Sequence, residues 1–248
     1  MKISIITVAY NSELTIEDTI NSVISQTYDN IEYIIIDGGS TDSTLDIINK
    51  YSNKINLIIS EKDKGVYDAM NKGIMFSNGA IIGFLNSDDI FTDNNIIELI
   101  AKQFHHDNNL SILYGNLYYV NRNNILKVIR KWRSQNYFYK YFEYGNVPAH
   151  PTLYLRKEAY NLVGFYSLKY KYSSDYDLML RLFKKFNLKF YYLDHYIVKM
   201  RLGGITSGNF KNRLKQNIEI YEIWKDNDLK IPFYFFLLKF SKRFIQFL

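Results

Sequence analysis

The first hundred residues alternate between short apolar strands and amphipathic helices, and this alternation constrains the fold more than any other feature. Residues 3–8 are a β-branched apolar run of the kind that is buried in a parallel sheet. The pattern predicts further strands at 31–36, 55–60 and 81–85 and helices at 16–24, 43–51 and 67–76. Repeated strand–helix units predict an α/β fold, with a Rossmann-like, mostly parallel sheet flanked by helices.

The pattern changes after about residue 110, where longer strands and aromatic segments replace the regular repeat. The predicted elements are strands at 110–120, 125–132 and 152–155 and helices opening near 173–175 and covering 210–225. The first two of these strands are joined by a turn and are candidates for antiparallel pairing. No internal repeat or long linker interrupts the chain, so we expect one domain over residues 1–206 and a C-terminal helical extension over residues 207–248.

Composition excludes several classes of protein. The chain has no cysteine, which excludes disulfides, thiolate metal sites and cysteine nucleophiles. No apolar stretch approaches the roughly 20 residues that span a bilayer. The apolar run after Met1 is short and lacks a small-residue cleavage site, so we interpret it as a strand and expect a cytoplasmic protein.

Polar side chains follow the predicted strands at the points where the strands end. Thr7 and Tyr10 end the first strand, Asp37 ends the second, and Asp88 and Asp89 follow the fourth. Ligands of open parallel sheets bind beyond the carboxyl ends of the strands, so these clusters are expected to converge on one crevice. The alternative is that such residues only make turns and cap helices.

Adjacent carboxylates repel each other unless a cation, a hydrogen-bonding partner or a proton relieves them. Asp88 and Asp89 therefore indicate a site for Mg²⁺ or Mn²⁺, which commonly uses one or two carboxylates together with substrate phosphates. The chain contains neither a P-loop motif nor a G-x-G-x-x-G motif after the first strand, which disfavours P-loop NTPases and NAD-binding enzymes.

Four ordered motifs resemble those of a known family, the bacterial family-2 glycosyltransferases with the GT-A fold. The motifs are residues 4–11, 34–42, 60–73 and 84–89, and weaker matches continue to about residue 206. The resemblance implies a nucleotide-sugar donor, most often a UDP-sugar, with Mn²⁺ or Mg²⁺ as cofactor. It also implies a donor-binding half over residues 1–109 and an acceptor-binding half over residues 110–206.

The resemblance assigns donor-binding roles position by position. It places Thr7 and Tyr10 at the base pocket, Asp37 against the uracil N–H, Asp68 beside the nucleoside, Asp88 on the metal, Asp89 behind the metal or facing the donor sugar, and Arg201 near the diphosphate. The chain departs from the family at Asn86, which replaces the first acid of the Asp-X-Asp motif. Gly203 stands where some relatives have a metal-binding histidine, so no third protein ligand is expected.

The segment 174–181 resembles the catalytic segment of the family and selects Asp175 as the general base, although Ser174 replaces a common glutamate. In the first turn of a helix, Asp175 would feel the positive end of the dipole, which favours the ionised form of a base. A capping role for this aspartate is the alternative. The mechanism that the family implies is one direct displacement, which inverts the anomeric configuration.

The C-terminal segment is expected to lie on a membrane surface. Phe233, Phe236, Leu237, Phe240, Phe244 and Phe247 can form one helical face, with Lys239, Lys242 and Arg243 able to reach lipid headgroups. Packing on the domain or against a second copy in a homodimer is the alternative. With a lipid-linked saccharide acceptor, we expect a peripheral protein on the inner face of the cell membrane that builds a surface polysaccharide.

Two other functions are compatible with parts of the sequence. The net charge of +6 and the pI of about 9.1 allow a nucleic-acid-binding protein, but the best-defined clusters are acidic and would repel phosphates, so no nucleic acid is expected. Asn86 and the missing histidine allow a catalytically inactive nucleotide-sugar-binding protein. The sequence leaves the donor sugar, the nucleotide, the acceptor, the linkage and the oligomeric state open.

Overall fold

A computed structural model describes residues 1–203 and 210–239. The strands are β1 (Ile3–Ala9), β2 (Ile31–Asp37), β3 (Leu57–Ser60), β4 (Ile81–Phe84), β5 (Asp89–Phe91), β6 (Ile112–Asn121), β7 (Asn124–Trp132), β8 (Tyr154–Arg156) and β9 (Phe190–Arg201). The helices are α1 (Ile16–Ile24), α2 (Thr44–Lys50), α3 (Val66–Phe76), α4 (Ile96–His106), α5 (Lys157–Val163), α6 (Ser174–Leu180) and α7 (Phe210–Asp226). A π-helical turn over Arg181–Lys185 continues α6.

The strands form one sheet in the order β3-β2-β1-β4-β8-β6-β9-β5, with β7 paired to the side of β6. The amino-terminal part, β3-β2-β1-β4, is parallel. Beyond β4 the sheet is mixed, because β8 runs antiparallel to β4 and β6, whereas β6 and β9 are parallel. The predicted α/β class is confirmed, and β6 and β7 form the antiparallel pair that was a candidate in the sequence.

Strands β1, β2 and β4 are buried on both faces of the sheet. The side chains of a strand alternate between its two sides. In β1, Ile3 and Ile5 join the cluster that packs under α1 and α4, whereas Ile6 and Val8 join the cluster under α3. Every residue of β1 is buried. This two-sided burial is the physical reason why the strand appears as a continuous apolar run.

Helix α3 lies close against β1 because a glycine faces the sheet. A Cβ atom on Gly73 would lie 2.4 Å from Cγ2 of Ile6, closer than real side-chain contacts allow. Ala69 and Met70, on the same helix, are also buried. The close approach fixes the start of α3, which carries Tyr67 and Asp68, relative to the end of the parallel strands.

The sequence patterns did not predict β5, β9, α4 or α5. Strand β9 escaped notice because its residues are mostly half-buried, so its side chains show neither a long apolar run nor a clean alternation. The predicted strand at 152–155 is shifted, because Thr152 belongs to a 3₁₀ turn and β8 begins at Tyr154.

The described part of the C-terminal segment packs on the domain. Ile220, Ile223, Trp224 and Phe235 are buried in the same cluster as β1 and α3. No helix among the described residues is long and apolar enough to cross a membrane. Of the predicted membrane-facing residues, Phe233 and Leu237 are exposed and Phe236 is half-buried, whereas Phe240, Lys242, Arg243, Phe244 and Phe247 lie outside the described residues.

Replacing Trp224 by alanine tests whether α7 is part of the folded core. The Trp224 side chain is fully buried and its Nε1 donates to the Tyr176 hydroxyl at 2.8 Å. Trp224→Ala should lower the free energy of unfolding by about 3–5 kcal/mol, because it removes a large buried side chain. Urea unfolding measures this change. Tyr221→Ala, on the exposed face of the same helix, is the control and should change it by under about 0.5 kcal/mol; equal effects would show that α7 does not belong to the core.

Candidate active site

The loops that follow β1, β2 and β4 meet at one edge of the sheet. The backbone N–H of Asn11 donates to Ser40 Oγ at 2.8 Å, and Asn11 Oδ1 accepts from the backbone N–H of Thr41 at 2.9 Å. On the other side, the hydroxyls of Ser12 and Ser87 lie 2.8 Å apart. Hydrogen bonds therefore join the loop after β1 to both neighbouring loops, as expected for the carboxyl ends of parallel strands.

Asp37 is fully buried at the end of β2 and shapes the loop that follows it. Its Oδ2 accepts from the backbone N–H groups of Gly39 at 3.2 Å and Ser40 at 3.0 Å and from Ser60 Oγ at 2.7 Å. Its Oδ1 accepts from the Ser40 hydroxyl. Both carboxylate oxygens are therefore occupied within the fold, and the expected contact with a uracil N–H stays a prediction.

The structure separates the two residues predicted for the base pocket after β1. Thr7 is fully buried, and its hydroxyl lies 3.2 Å from that of Tyr33. Its side chain therefore lies inside the fold against β2, and its expected place at the base pocket stays a prediction. Tyr10 is 63% exposed, which leaves its ring available to solvent in the loop after β1.

The loop after β3 lies against the loop after β2. A Cβ atom on Gly38 would lie 2.5 Å from Oδ2 of Asp63, so the absence of a side chain at this position lets the two loops touch. Asp63 Oδ1 in turn accepts from the backbone N–H of Gly65 at 2.8 Å, directly before α3. The start of α3 is thereby held at the same edge as Asp37.

Asp68 lies in the first turn of α3 and is half-buried. Its Oδ2 accepts from the backbone N–H of Lys64 at 2.9 Å and lies 4.0 Å from Nζ of Lys72. Lys72 also pairs with Glu61 Oε1 at 2.7 Å. Asp68 therefore orders the turn that leads into α3, and its place beside a nucleoside stays a prediction.

Asp88 and Asp89 follow β4, and the protein strongly desolvates both. Burial raises the pKa of Asp88, and the positive charge of Arg122 opposes the rise. Burial, and then the neighbouring charge of Asp88, raise the pKa of Asp89 well above its ordinary value. Asp89 Oδ2 accepts from Asn86 Nδ2 at 3.1 Å, whereas its Oδ1 has no hydrogen-bond partner among the described residues.

Arg201 lies beside Asp88, but its guanidinium holds backbone and does not face an open site. It is 3% exposed, and its Nη1 donates to the carbonyl oxygen of Asp88 at 2.9 Å. Its Nε donates to the carbonyl oxygen of Arg122 at 3.2 Å, and its Nη2 pairs with Asp18. Arg201 therefore ties the end of β9 to the Asp88 loop, and a direct contact with a diphosphate stays a prediction.

Asp175, from the second half of the chain, comes to the start of α3. Its Oδ1 accepts a hydrogen bond from the hydroxyl of Tyr67 at 3.1 Å, across 108 residues of sequence. Asp175 lies in the first turn of α6 and is half-buried. Burial, and then the charge of Asp175, raise the pKa of the Tyr67 hydroxyl well above its ordinary value, so this hydroxyl remains a donor.

A buried aromatic cluster supports Tyr67 from behind. The ring of Tyr67 stacks on Tyr166, with 5.6 Å between the ring centroids, and the Tyr166 hydroxyl lies 2.7 Å from Nε2 of His150. Burial lowers the pKa of His150, although the charge of Asp175 opposes this, so the imidazole is uncharged at neutral pH. Asn71 on α3 exchanges two hydrogen bonds, at 2.9 and 3.0 Å, with the backbone of Tyr166.

The residues after β4 fit a divalent cation that takes most of its ligands from elsewhere. Within residues 1–203 and 210–239, no group of three or more histidine, aspartate or glutamate side chains is arranged to hold a metal. The carboxylates of Asp37 and Asp175 therefore do not gather with Asp88 around one ion. However, Asp88 and Asp89 are adjacent and desolvated, and one oxygen of Asp89 has no hydrogen-bond partner among the described residues. A bound cation would offset the negative charge of such a pair. Asp88, with phosphate oxygens and water, makes a common type of Mg²⁺ or Mn²⁺ site.

Sequence analysis missed Tyr67, Tyr166 and the stabilising role of Arg201. Tyr67 lies inside a motif that was noted, next to Asp68, but nothing in its helical spacing distinguishes it from a core tyrosine. Its hydrogen bond to Asp175 joins residues that are 108 positions apart, and no local sequence pattern predicts such a contact.

Comparison with known proteins gives a consistent result. A family model described as "Glycosyl transferase family 2" matches residues 4–161. An Escherichia coli protein described as UDP-Glc:alpha-D-GlcNAc-diphosphoundecaprenol beta-1,3-glucosyltransferase WfgD is 31% identical over 94% of this chain and 90% of its own length.

Two solved structures are similar in fold. The structure of S. aureus TarS 1–349 in complex with UDP-GlcNAc has a TM-score of 0.67 and 21% identity, over 92% of this chain and 65% of that one. The mannosyltransferase PcManGT from Pyrobaculum calidifontis, in complex with GDP-Man and Mn²⁺, has a TM-score of 0.68 and 13% identity, over 98% and 69% of the two chains. The present chain thus spans just under two thirds of the TarS 1–349 chain.

Because Asp37 accepts several hydrogen bonds within the fold, we expect its replacement to lower stability strongly even when no ligand is bound. Asp37→Ala should lower the free energy of unfolding by about 3 kcal/mol, because it leaves buried N–H and hydroxyl donors without an acceptor. Chemical denaturation without nucleotide measures the change. Asp29→Ala, at an exposed loop position, is the control and should change stability by under about 0.5 kcal/mol. If the two variants were equally stable, Asp37 would not shape the loop.

Proposed function

The chain belongs to glycosyl transferase family 2, and from this membership we propose that it transfers a sugar from a nucleotide sugar to a hydroxyl group of a saccharide acceptor. The fold is of the GT-A type, as the sequence motifs predicted. One observation carries the proposal furthest. The hydrogen bond from Tyr67 to Asp175 joins the acid selected as general base to the edge where the loops after β1, β2 and β4 meet.

In the proposed reaction, Asp175 takes the proton of the acceptor hydroxyl. Tyr67 donates to Oδ1 of Asp175, so we assign proton uptake to Oδ2. As the proton leaves, the acceptor oxygen forms a bond to the anomeric carbon, and the bond from that carbon to the diphosphate oxygen breaks. Because attack and departure occur on opposite faces, a single displacement inverts the anomeric configuration and requires no covalent intermediate on the protein.

Asp88 would hold the Mn²⁺ or Mg²⁺ of the proposed site, with Asp89 behind it. When bound, such a cation offsets the negative charge that develops on the leaving diphosphate. Arg201 contributes by fixing the backbone of Asp88 through its carbonyl oxygen. Burial raises the pKa values of both aspartates, and the positive charge of Arg201 opposes part of this rise.

A UDP-sugar is the proposed donor. The name of WfgD specifies UDP-Glc, and TarS has been solved with UDP-GlcNAc, whereas PcManGT has been solved with GDP-Man. In this chain, Tyr10 is an exposed aromatic side chain in the loop after β1 and is suited to stack on a base. Asp37 and Asp68 would bound the nucleoside site through the loops that they order.

A lipid-linked saccharide is the proposed acceptor, in the assembly of a surface polysaccharide. The name of WfgD describes transfer to GlcNAc on diphosphoundecaprenol, and this relative aligns over nearly the whole chain. Such an acceptor resides at a membrane, so we propose peripheral association with the inner face of the cell membrane. The exposed side chains of Phe233 and Leu237 are available for that contact.

Asp175→Asn separates a transferase from an inactive binder of nucleotide sugars, the alternative that Asn86 raises. The amide cannot take up the acceptor proton, so turnover should fall by about 10²–10⁴-fold while UDP affinity is retained. Product formation from UDP-glucose, UDP-GlcNAc and GDP-mannose with Mn²⁺ and bacterial membranes measures turnover, and calorimetry measures UDP binding. Asp228→Asn, at an exposed position, is the matched control. Unchanged turnover in Asp175→Asn would remove this residue from the mechanism.

Asp88→Asn tests the proposed metal site without an assay of transfer. In the wild-type protein, Mn²⁺ should strengthen UDP binding by about tenfold or more, because the ion links the carboxylate to the diphosphate. This gain should disappear in Asp88→Asn, whereas Asp29→Asn should retain it. Calorimetric titration of UDP with Mn²⁺ and with EDTA gives the comparison, and an undiminished gain in Asp88→Asn would place the metal elsewhere.

A further inference from the structure

Helix α7 holds the segment that leads into Asp175 by an unusual pair of hydrogen bonds. The carboxylate of Glu219 accepts from two consecutive backbone N–H groups: Oε1 from Lys171 and Oε2 from Tyr172, both at 2.9 Å. The Tyr172 hydroxyl also donates to Asn212 Oδ1 at 3.3 Å. One side chain of α7 therefore fixes the direction in which the chain enters α6.

The same helix also holds the two residues that follow Asp175. Trp224 Nε1 donates to the Tyr176 hydroxyl at 2.8 Å, and Asn227 Nδ2, just beyond α7, donates to Asp177 Oδ1 at 2.9 Å. All four of these side chains are buried. Asp175 thus lies between two sets of contacts, one on each side in sequence, and both originate from residues 212–227.

The arrangement matters because α6 is too short to fix its own position. It has seven residues before it passes into a π-helical turn, and helices of this length owe their stability to packing. Hydrogen bonds to a charged carboxylate are stronger than those between neutral groups. Removing Glu219 would therefore leave two N–H groups without this acceptor at the point where α6 begins.

We propose that Glu219 is a positioning residue, which acts through the 171–172 backbone to hold Asp175 in register with Tyr67. The proposal rests on the proposed function of Asp175 as the general base. The C-terminal extension is in this view a component of the active site and not an appendage to it.

Glu219→Gln tests the proposal, since glutamine keeps the size of the side chain and one acceptor oxygen but loses the second acceptor and the charge. Glu222→Gln is the matched control, because it makes the same change at an exposed position of the same helix. We expect the Lys171 and Tyr172 amides to exchange with solvent about tenfold faster in Glu219→Gln, and kcat to fall about tenfold or more with UDP affinity unchanged. Glu222→Gln should match wild type in all three measurements.

A double-mutant cycle separates positioning from general support of the fold. If Glu219 acts through Asp175, Glu219→Gln should cause no further loss of turnover in an Asp175→Asn background. A further loss of the same size as in wild type would overturn the proposal, as would unchanged amide exchange in Glu219→Gln. Melting temperatures of all variants show that they fold.

The outcomes also distinguish this proposal from the proposed function. Full activity in Asp175→Asn would refute the role of Asp175 as general base, and the positioning role of Glu219 with it. Loss of activity in Asp175→Asn, together with wild-type kcat in Glu219→Gln, would refute only the role of Glu219. Faster amide exchange with a lower kcat in Glu219→Gln, and no additional effect in the double variant, would support both.

Discussion

A carboxylate that is buried at the end of a central strand must be fully hydrogen-bonded, and the shape of the candidate site depends on how Asp37 meets this requirement. Its carboxylate accepts hydrogen bonds from two backbone N–H groups of the following loop and from the hydroxyl of Ser60 in β3. The loop is then hydrogen-bonded to Asn11 after β1. The edge at which a nucleotide sugar is proposed to bind is therefore preformed by internal contacts, and the exposed Tyr10 projects from it.

Two hydrogen bonds connect the second half of the chain to this edge. Arg201, at the end of β9, holds the carbonyl oxygen of Asp88 across 113 residues of sequence, and Asp175 accepts from Tyr67 across 108. Both link a residue that follows the mixed part of the sheet to a loop or helix of the parallel part. The proposed donor-binding and acceptor-binding halves are thus connected at the two positions where the chemistry of sugar transfer is proposed to occur.

The described C-terminal residues change how the extension is understood. The sequence predicted a C-terminal extension over residues 207–248, and Ile220, Ile223 and Trp224 of its described part are buried in the common core. The other side of α7 retains exposed apolar side chains such as Ile218 and Tyr221. Helix α7 packs against α6 on one side and faces solvent on the other. It can therefore support the proposed general base and still leave a surface for the proposed lipid-linked acceptor.

The sequence by itself determined the α/β class, the positions of the first four strands along the chain and the segments that carry Asp37, Asp88 and Asp175, because these follow from local apolar periodicity and local motifs. It did not determine what those side chains contact. Asp37 and Arg201 form hydrogen bonds with backbone groups of their own fold that no motif predicted, and their expected contacts with a ligand stay predictions. Tyr67 and the proposed positioning residue Glu219 form hydrogen bonds with partners far away in sequence, and β9 pairs with β6 across a long stretch of the chain. Such contacts leave no periodic signal, since they are decided by which surfaces the folded chain brings together.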